Sequence, residues 1–205
     1  MPPKTDLKAD IELLHSLEEA QIISQMSLAK RIGISIGFTN TLLKRAIHKG
    51  YIKAKSAPYK RYSYYLTPKG FSEKSRLIIE YLETSLNFFR KAKQEYASLL
   101  LRAKSQNKES IVLLGSGELA EIAIMASWDA EVTISAIVCP LTEKKSINNI
   151  PVHRELSDLH DYDLLLLSDS RNPQGTFDET ISKVASPEMI ATPPFLKIHH
   201  NTVES

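Results

Sequence analysis

MSLAKRIGISIGFTNTLLKRAIHKGYIKAKSAPYKRYSYYLT, residues 26–67, decides how the first half of the chain folds. It predicts a helix over Ser24–Ile32, a turn at Gly33, Ile34 and Ser35, a second helix from Ile36, and a basic hairpin with its tip at Ala57–Arg61. Gly33 can take the positive φ that a tight turn needs, and Ser35 can cap the free N–H groups of the second helix. Gly50 is placed to end that helix, Tyr51–Lys55 to open the hairpin, Pro58 to sit at its tip and Tyr62–Thr67 to close it. This is the punctuation of a helix-turn-helix with a wing.

The second helix divides into two faces. Thr39, Leu43, Ala46 and Ile47 recur at helical spacing and are expected to pack, which leaves Phe38, Asn40, Thr41, Lys44 and Arg45 for a partner. Asn can pair with adenine and Arg with guanine in a major groove, while Lys, Thr and backbone N–H groups hold phosphates. With Ser35 and the hairpin-tip residues Tyr59, Lys60 and Arg61, these form the candidate double-stranded DNA contact set. Upstream, Leu7, Ile11, Leu14 and Leu17 mark a scaffold helix over residues 6–20.

Charge separates the two halves. Residues 1–104 contain 19 Lys and Arg against 9 Asp and Glu, a net of +10, whereas residues 105–205 contain 7 against 15, a net of −8. The first half therefore suits a polyanion and the second a partner that does not depend on bulk positive charge.

Residues 68–103 read as one long helix, with Ile78, Leu82, Ser85, Phe89, Ala92, Tyr96 and Leu99 forming a heptad-type seam. Two roles fit the seam, a homodimer interface or packing against the chain's own second half; the dimer is preferred because helix-turn-helix proteins commonly match a two-fold axis to paired half-sites. The runs LAKRIGISIGFTNTLLKRAIHKGYIK and YSYYLTPKGFSEKSRLIIEYLETSLNFF resemble the MarR-type winged-helix regulators of exopolysaccharide and capsule gene clusters, over roughly residues 8–100. The resemblance implies a cytoplasmic bacterial transcription factor acting near polysaccharide genes. Phe38 stands where a more polar residue is usual in that family.

After a polar linker, KSQNKES over 104–110, the run SIVLLGSGELAEIAIMASWDAEVTISAIVCP reads as buried strand, glycine turn, helix and second buried strand. Gly115, Gly117 and Ala120 match GxGxxA between strand and helix, where glycines let the backbone approach a phosphate. YDLLLLSD is a further buried strand, FDETISKVA a helix and EMIATPP an edge, so a Rossmann-like, mostly parallel sheet is expected. Asp169 and Ser170 follow a strand end, where such sheets bind ligands, although Asp169 serves equally as a turn cap. The candidate ligand-binding set is Gly115, Ser116, Gly117, Glu118 and Leu119, with Cys139, Ser168, Asp169 and Ser170.

GSGELAEIA, AIVCP, INNIPVHRELSDL and YDLLLLSD together resemble the nucleotide-sugar-binding N-terminal domain of bacterial sugar acyltransferases, over about residues 110–170. That resemblance implies binding of a UDP-sugar effector. A weaker similarity, to Rex-type redox-sensing repressors, implies NAD(H) instead. Cys139-Pro140 stands where a nicotinamide-dinucleotide fold carries an acidic residue for the ribose, and Glu118 lies in the phosphate turn, both against NAD.

No nucleophile, base and acid recur at a spacing that would assemble them, so no enzymatic role is expected and no catalytic residue is assigned; the alternative is a second half that is an enzyme or only a dimerisation module. The single cysteine, Cys139, excludes an internal disulfide framework and is expected to be a buried small hydrophobe. No segment has a signal-peptide core or a membrane-span length of apolar residues, no Cys/His cluster suits a metal, and a cytoplasmic protein is expected. The organisation read from sequence is thus an α+β winged helix-turn-helix domain over 1–70, a long dimerisation helix over 71–104, and a small α/β Rossmann-like effector-binding domain over 105–205.

Overall fold

The computed structural model describes residues 4–19, 24–57, 61–159 and 161–200. It forms two compact units, Met1–Leu86 and Asn87–Ser205, with the division falling inside a long helix.

In the N-terminal unit, α1 (Lys4–Glu19) is followed by α2 (Gln25–Ile32), α3 (Ile36–His48), and an antiparallel hairpin of β1 (Ile52–Ala57) and β2 (Arg61–Leu66). Its punctuation is local chemistry. The Ser24 hydroxyl accepts from the N–H of Ser27 at the start of α2, Gly33 ends that helix at φ 76°, and the Ser35 hydroxyl accepts from the N–H of Phe38 to start α3. Leu13, Leu14, Leu17, Leu28, Leu42, Leu43, Ile52, Tyr64 and Leu77 make the buried core.

The helix α4 (Pro68–Ser105) begins at Thr67, whose hydroxyl accepts from the Gly70 N–H at 3.0 Å and donates to the Gly50 carbonyl at 2.7 Å. Pro68 occupies the first helical position, where its missing N–H costs nothing. The expected segment 71–104 is shared between the two units. Ala92 and Tyr96 of the predicted seam, together with Leu100 and Ala103, are buried in the C-terminal unit's own core, with Phe89 and Leu99 packed against them. That half of the seam is not a dimer surface, because the chain's own sheet covers it. Ile78, Leu82 and Ser85 remain exposed.

The C-terminal unit carries β3 (Ile111–Leu114), α5 (Glu118–Ala130), β4 (Ile134–Val138), β5 (Ser146–Ile147), β6 (Ile150–His153), β7 (Leu164–Leu167), α6 (Pro173–Ile181) and β8 (Ile190–Ala191). The sheet order is β5-β6-β4-β3-β7-β8, parallel throughout except for β5. Burial on both faces explains the unbroken apolar strands Ile111–Leu114 and Leu164–Leu167. One face packs on α5 and the second half of α4, the other on Phe177 of α6. Asn148 and Asn149, both at positive φ, turn β5 into β6. Among the described residues, no helix is long and apolar enough to cross a membrane.

Two side chains tie distant segments of this unit together. Tyr96, fully buried, donates its hydroxyl to the Leu167 carbonyl at 3.0 Å, and burial raises its pKa. Asp163 accepts from the N–H groups of Ser110 (2.9 Å) and Glu109 (2.8 Å), which hold its carboxyl below the usual range.

Tyr96→Phe, which keeps the ring and removes the bond, is expected to destabilise the chain by about 1–2 kcal/mol in urea unfolding with an unchanged m-value, whereas Tyr96→Ala costs about 3–5 kcal/mol. Equal losses for the two variants would show that the hydroxyl, not the ring, carries the stabilisation. Because the folded pKa of Asp163 is depressed, its contribution is present above the ordinary carboxylate value of about 3.9 and fades as pH falls through the lower folded value. Asp163→Ala should therefore lower Tm at neutral pH, and its deficit against the parent should shrink in acid; a deficit independent of pH would overturn the assignment.

Candidate functional site

The outward face of α3 is built by helical spacing. Gly37, Thr41, Lys44 and His48 are exposed and Asn40 is half-buried beside them, so positions 37, 40, 41, 44 and 48 share one side. The opposite side buries Thr39, Leu42, Leu43 and Ala46. This corrects the inward set at one position: Leu42 is fully buried, while Ile47 is 38% exposed.

Three further residues of the expected contact set are used inside the fold. Ser35 caps α3 through the Phe38 N–H at 3.2 Å. Phe38 packs partly buried against the core, which accounts for an apolar residue there. Arg45 turns to α1, its Nη2 lying 2.8 and 2.7 Å from the two carboxylate oxygens of Asp10. A guanidinium held this way steadies α3 against α1 and is not presented as a base reader. Thr41 stays on the outer face but donates its hydroxyl to the Gly37 carbonyl at 3.1 Å. Asn40 and Lys44 thus remain from the expected set, and His48, one turn beyond Lys44, joins them; the spacing from Thr41 and Lys44 was the signal for it.

The wing adds cations and aromatics. Lys53, Lys55, Tyr62 and Tyr65 are exposed, and the Lys55 ammonium lies 5.6 Å from the Tyr65 ring centroid. Among the described residues, no carboxylate pairs with Lys44, Lys53 or Lys55. The expected tip residues Tyr59 and Lys60 lie outside the described residues, and of Arg61 only the backbone, paired with Ala57, is described. Residues 20–72 contain ten Lys and Arg and no Asp or Glu, a sharper segregation than the half-chain totals convey.

In the C-terminal unit, most of the expected ligand set meets at the carboxyl ends of β3 and β7, neighbours in the sheet where the winding reverses. Gly115, at φ 113°, lies so close to the next turn that a Cβ there would stand 2.7 Å from the backbone of Asp169. Ser168 is buried, with its hydroxyl 3.0 and 3.1 Å from the carbonyls of Leu114 and Gly115. Gly117 precedes α5 with no side-chain cap, and a Cβ there would meet the Ser170 hydroxyl at 3.1 Å. Ser116 donates to the Cys139 sulfur at 3.1 Å, and Cys139 is buried.

Two members of the set serve the fold. Asp169 accepts from the Thr176 hydroxyl (2.7 Å) and the Arg171 N–H (2.8 Å), so the turn-capping alternative holds. Leu119 is 5% exposed and belongs to the core, not to a ligand surface. Glu118 is exposed at the first position of α5, where a carboxylate complements the helix dipole. Among the described residues, no group of three His, Cys, Asp or Glu could hold a metal ion.

The chain matches no protein-family model and no curated protein. Among solved structures it is similar to the PcaV transcriptional regulator from Streptomyces coelicolor, at 18% identity over 40% of this chain and 62% of that one, with a TM-score of 0.37. A MarR-family transcriptional regulator from Silicibacter pomeroyi matches at 17% identity over 40% of this chain and 56% of that one, with a TM-score of 0.35. The chain thus spans 62% and 56% of the length of these two regulators. Human N-acetylserotonin methyltransferase in complex with SAM matches at 13% identity over 92% of this chain and 75% of that one, with a TM-score of 0.35. This last match runs against two expectations, that the chain has no enzymatic role and that its effector is a UDP-sugar or NAD(H), and neither is retained.

Proposed function

We propose that the chain is a DNA-binding transcriptional regulator that reads double-stranded DNA with the outer face of α3. The observation that carries this reading is the outward row of exposed Gly37, Thr41, Lys44 and His48 with half-buried Asn40 beside them, within a stretch that holds ten cations and no carboxylate. Asn40 supplies the donor and acceptor pair that matches adenine in the major groove, and Lys44 reaches the phosphates beside it. Lys53 and Lys55 of the wing hold backbone from a second direction. Arg45 contributes by fixing α3 through Asp10.

The regulator acts as a homodimer through the first half of α4, where Ile78, Ile79, Leu82 and Leu86 are 38, 57, 52 and 49% exposed. An apolar stripe of this size on an ordinary surface helix is unusual, and a second copy covers it. The C-terminal unit binds a small-molecule effector beside Gly115–Gly117 and Ser170. The effector shifts the population between two arrangements of the dimer, for which a coupling of about 1–3 kcal/mol suffices. The resemblance of residues 8–100 to regulators of capsule and exopolysaccharide clusters supports polysaccharide genes as the target.

DNA selected from random duplexes by the purified chain provides the test. Lys44→Ala should weaken binding to all selected sites and reduce the salt slope by about one phosphate contact, while Asn40→Ala should relax preference at one base pair at a cost of about 1–3 kcal/mol. If neither variant changes affinity, salt slope or preference, α3 is not the reading helix. Leu82→Glu should convert the dimer to a monomer in analytical ultracentrifugation without lowering Tm of the protomer; an unchanged sedimentation coefficient would move the interface elsewhere.

A further inference from the structure

We propose that His48 makes DNA binding proton-linked: its imidazole takes up a proton as it meets a backbone phosphate, so affinity for duplex DNA rises as the pH falls from about 8 to about 6. The proposal rests on the reading of α3 as the helix that meets DNA, and it assigns the last exposed residue of that helix a role of its own.

His48 ends α3, one turn beyond Lys44 on the outward side, and is exposed. Its imidazole makes no hydrogen bond or ion pair among the described residues. Histidine is the side chain whose ordinary titration, at about 6.5, lies close to neutral pH. An opposite charge within about 4–6 Å favours its protonated form, so a complex with phosphate holds a proton that the free chain releases at the same pH.

No free carboxylate of the surrounding elements competes with phosphate for that role. Lys44 precedes His48 on the same side and Lys49 follows it in the chain; Lys53 and Lys55 belong to the wing, and Lys30 and Arg31 to the last turn of α2. Lys69 of α4 donates to the Lys49 carbonyl at 2.9 Å, and Lys49 and Lys69 lie 5.8 and 5.4 Å from the centroid of the Tyr51 ring. The carboxylates of the packed helices are engaged elsewhere: Asp10 of α1 by Arg45 at 2.7 Å, Glu18 of α1 by Lys74, and Glu73 of α4 by Arg76 at 2.9 Å. Glu12, two positions from Asp10, points to the other side of α1. Phosphate is therefore the anion that the outward side of α3 lacks.

Equilibrium binding of the full chain to a duplex selected from random sequence, followed from about pH 5.5 to about pH 8.5 at fixed ionic strength, tests the proposal. The parent's affinity should fall about tenfold per contacting protomer across that range, which corresponds to a bound imidazole that titrates about one pH unit above the free one. Its salt slope should be steeper at the acid end by about one phosphate contact. His48→Gln should lose both dependences. His48→Lys, which carries its charge throughout, should also be flat with pH and bind about tenfold more tightly than His48→Gln. A parent affinity that does not change with pH, or a His48→Gln chain that keeps the parent's pH slope, overturns the proposal. Lys44→Ala and Asn40→Ala at the alkaline end report separately on the underlying reading. If they weaken binding there while the pH slope is absent, α3 meets DNA and the proton linkage alone is wrong; if both bind like the parent, the reading fails and the proposal with it.

Discussion

The hydroxyl of Thr67 stands where the three working parts of the N-terminal unit meet. It caps α4 through the Gly70 N–H, and it donates to the Gly50 carbonyl just beyond the end of α3, with the Tyr51 carbonyl at 3.1 Å. The fit leaves no room for a side chain at Gly70, where a Cβ would lie 2.2 Å from the Tyr51 carbonyl oxygen. The exit of α3, the end of the wing and the start of the long helix are thereby set against one another. Arg45 and Asp10 complete the frame from the other side, joining α3 to α1. The outer face of α3 is thereby held in a fixed position relative to α1, the wing and the start of α4.

A comparable constraint organises the C-terminal unit. With no Cβ at Gly115, the turn after β3 and the turn after β7 approach until the first meets the backbone of Asp169. Asp169 then spends both carboxylate oxygens on Thr176 and Arg171, which starts the descent into α6. The polar groups beside Gly117 are backbone, the Ser170 hydroxyl that a Cβ there would meet at 3.1 Å, and the exposed Glu118 carboxylate. The chemistry at this edge is therefore set by how closely two backbones pass, and less by the charge of the acidic residue that the motif brings to mind.

How much of this could be read from residues alone depends on how local the cause is. Ser24, Gly33, Ser35 and Gly50 act within three or four residues of themselves, and the helix-turn-helix punctuation followed from them. The inner face of α3 was readable only at its centre, since Leu42 and Ile47 flank the Thr39, Leu43 and Ala46 arc on opposite sides, about 140° apart, and only tertiary packing decides that the Leu42 edge is the buried one. Arg45 was not readable as a structural residue, because its partner Asp10 lies 35 positions away on another helix. The seam on α4 shows the same limit on a larger scale. A stripe of apolar residues states that something covers it, not what: the sheet of the same chain covers Ala92 and Tyr96, and no described residue covers Leu82.

The division of charge gives these two units unequal roles in binding a polyanion. Residues 105–205 carry a net of −8, so they repel a polyanion that comes close, while the attraction is concentrated in residues 20–72. With a Debye length of about 8 Å at physiological ionic strength, the repulsion fades beyond the immediate surface and contributes little to a formed complex. Within that range a polyanion is disfavoured against the C-terminal unit and favoured against α3 and the wing. An acidic half of this kind suits ligands that bind through local hydrogen bonds and close backbone contact, not through the net field.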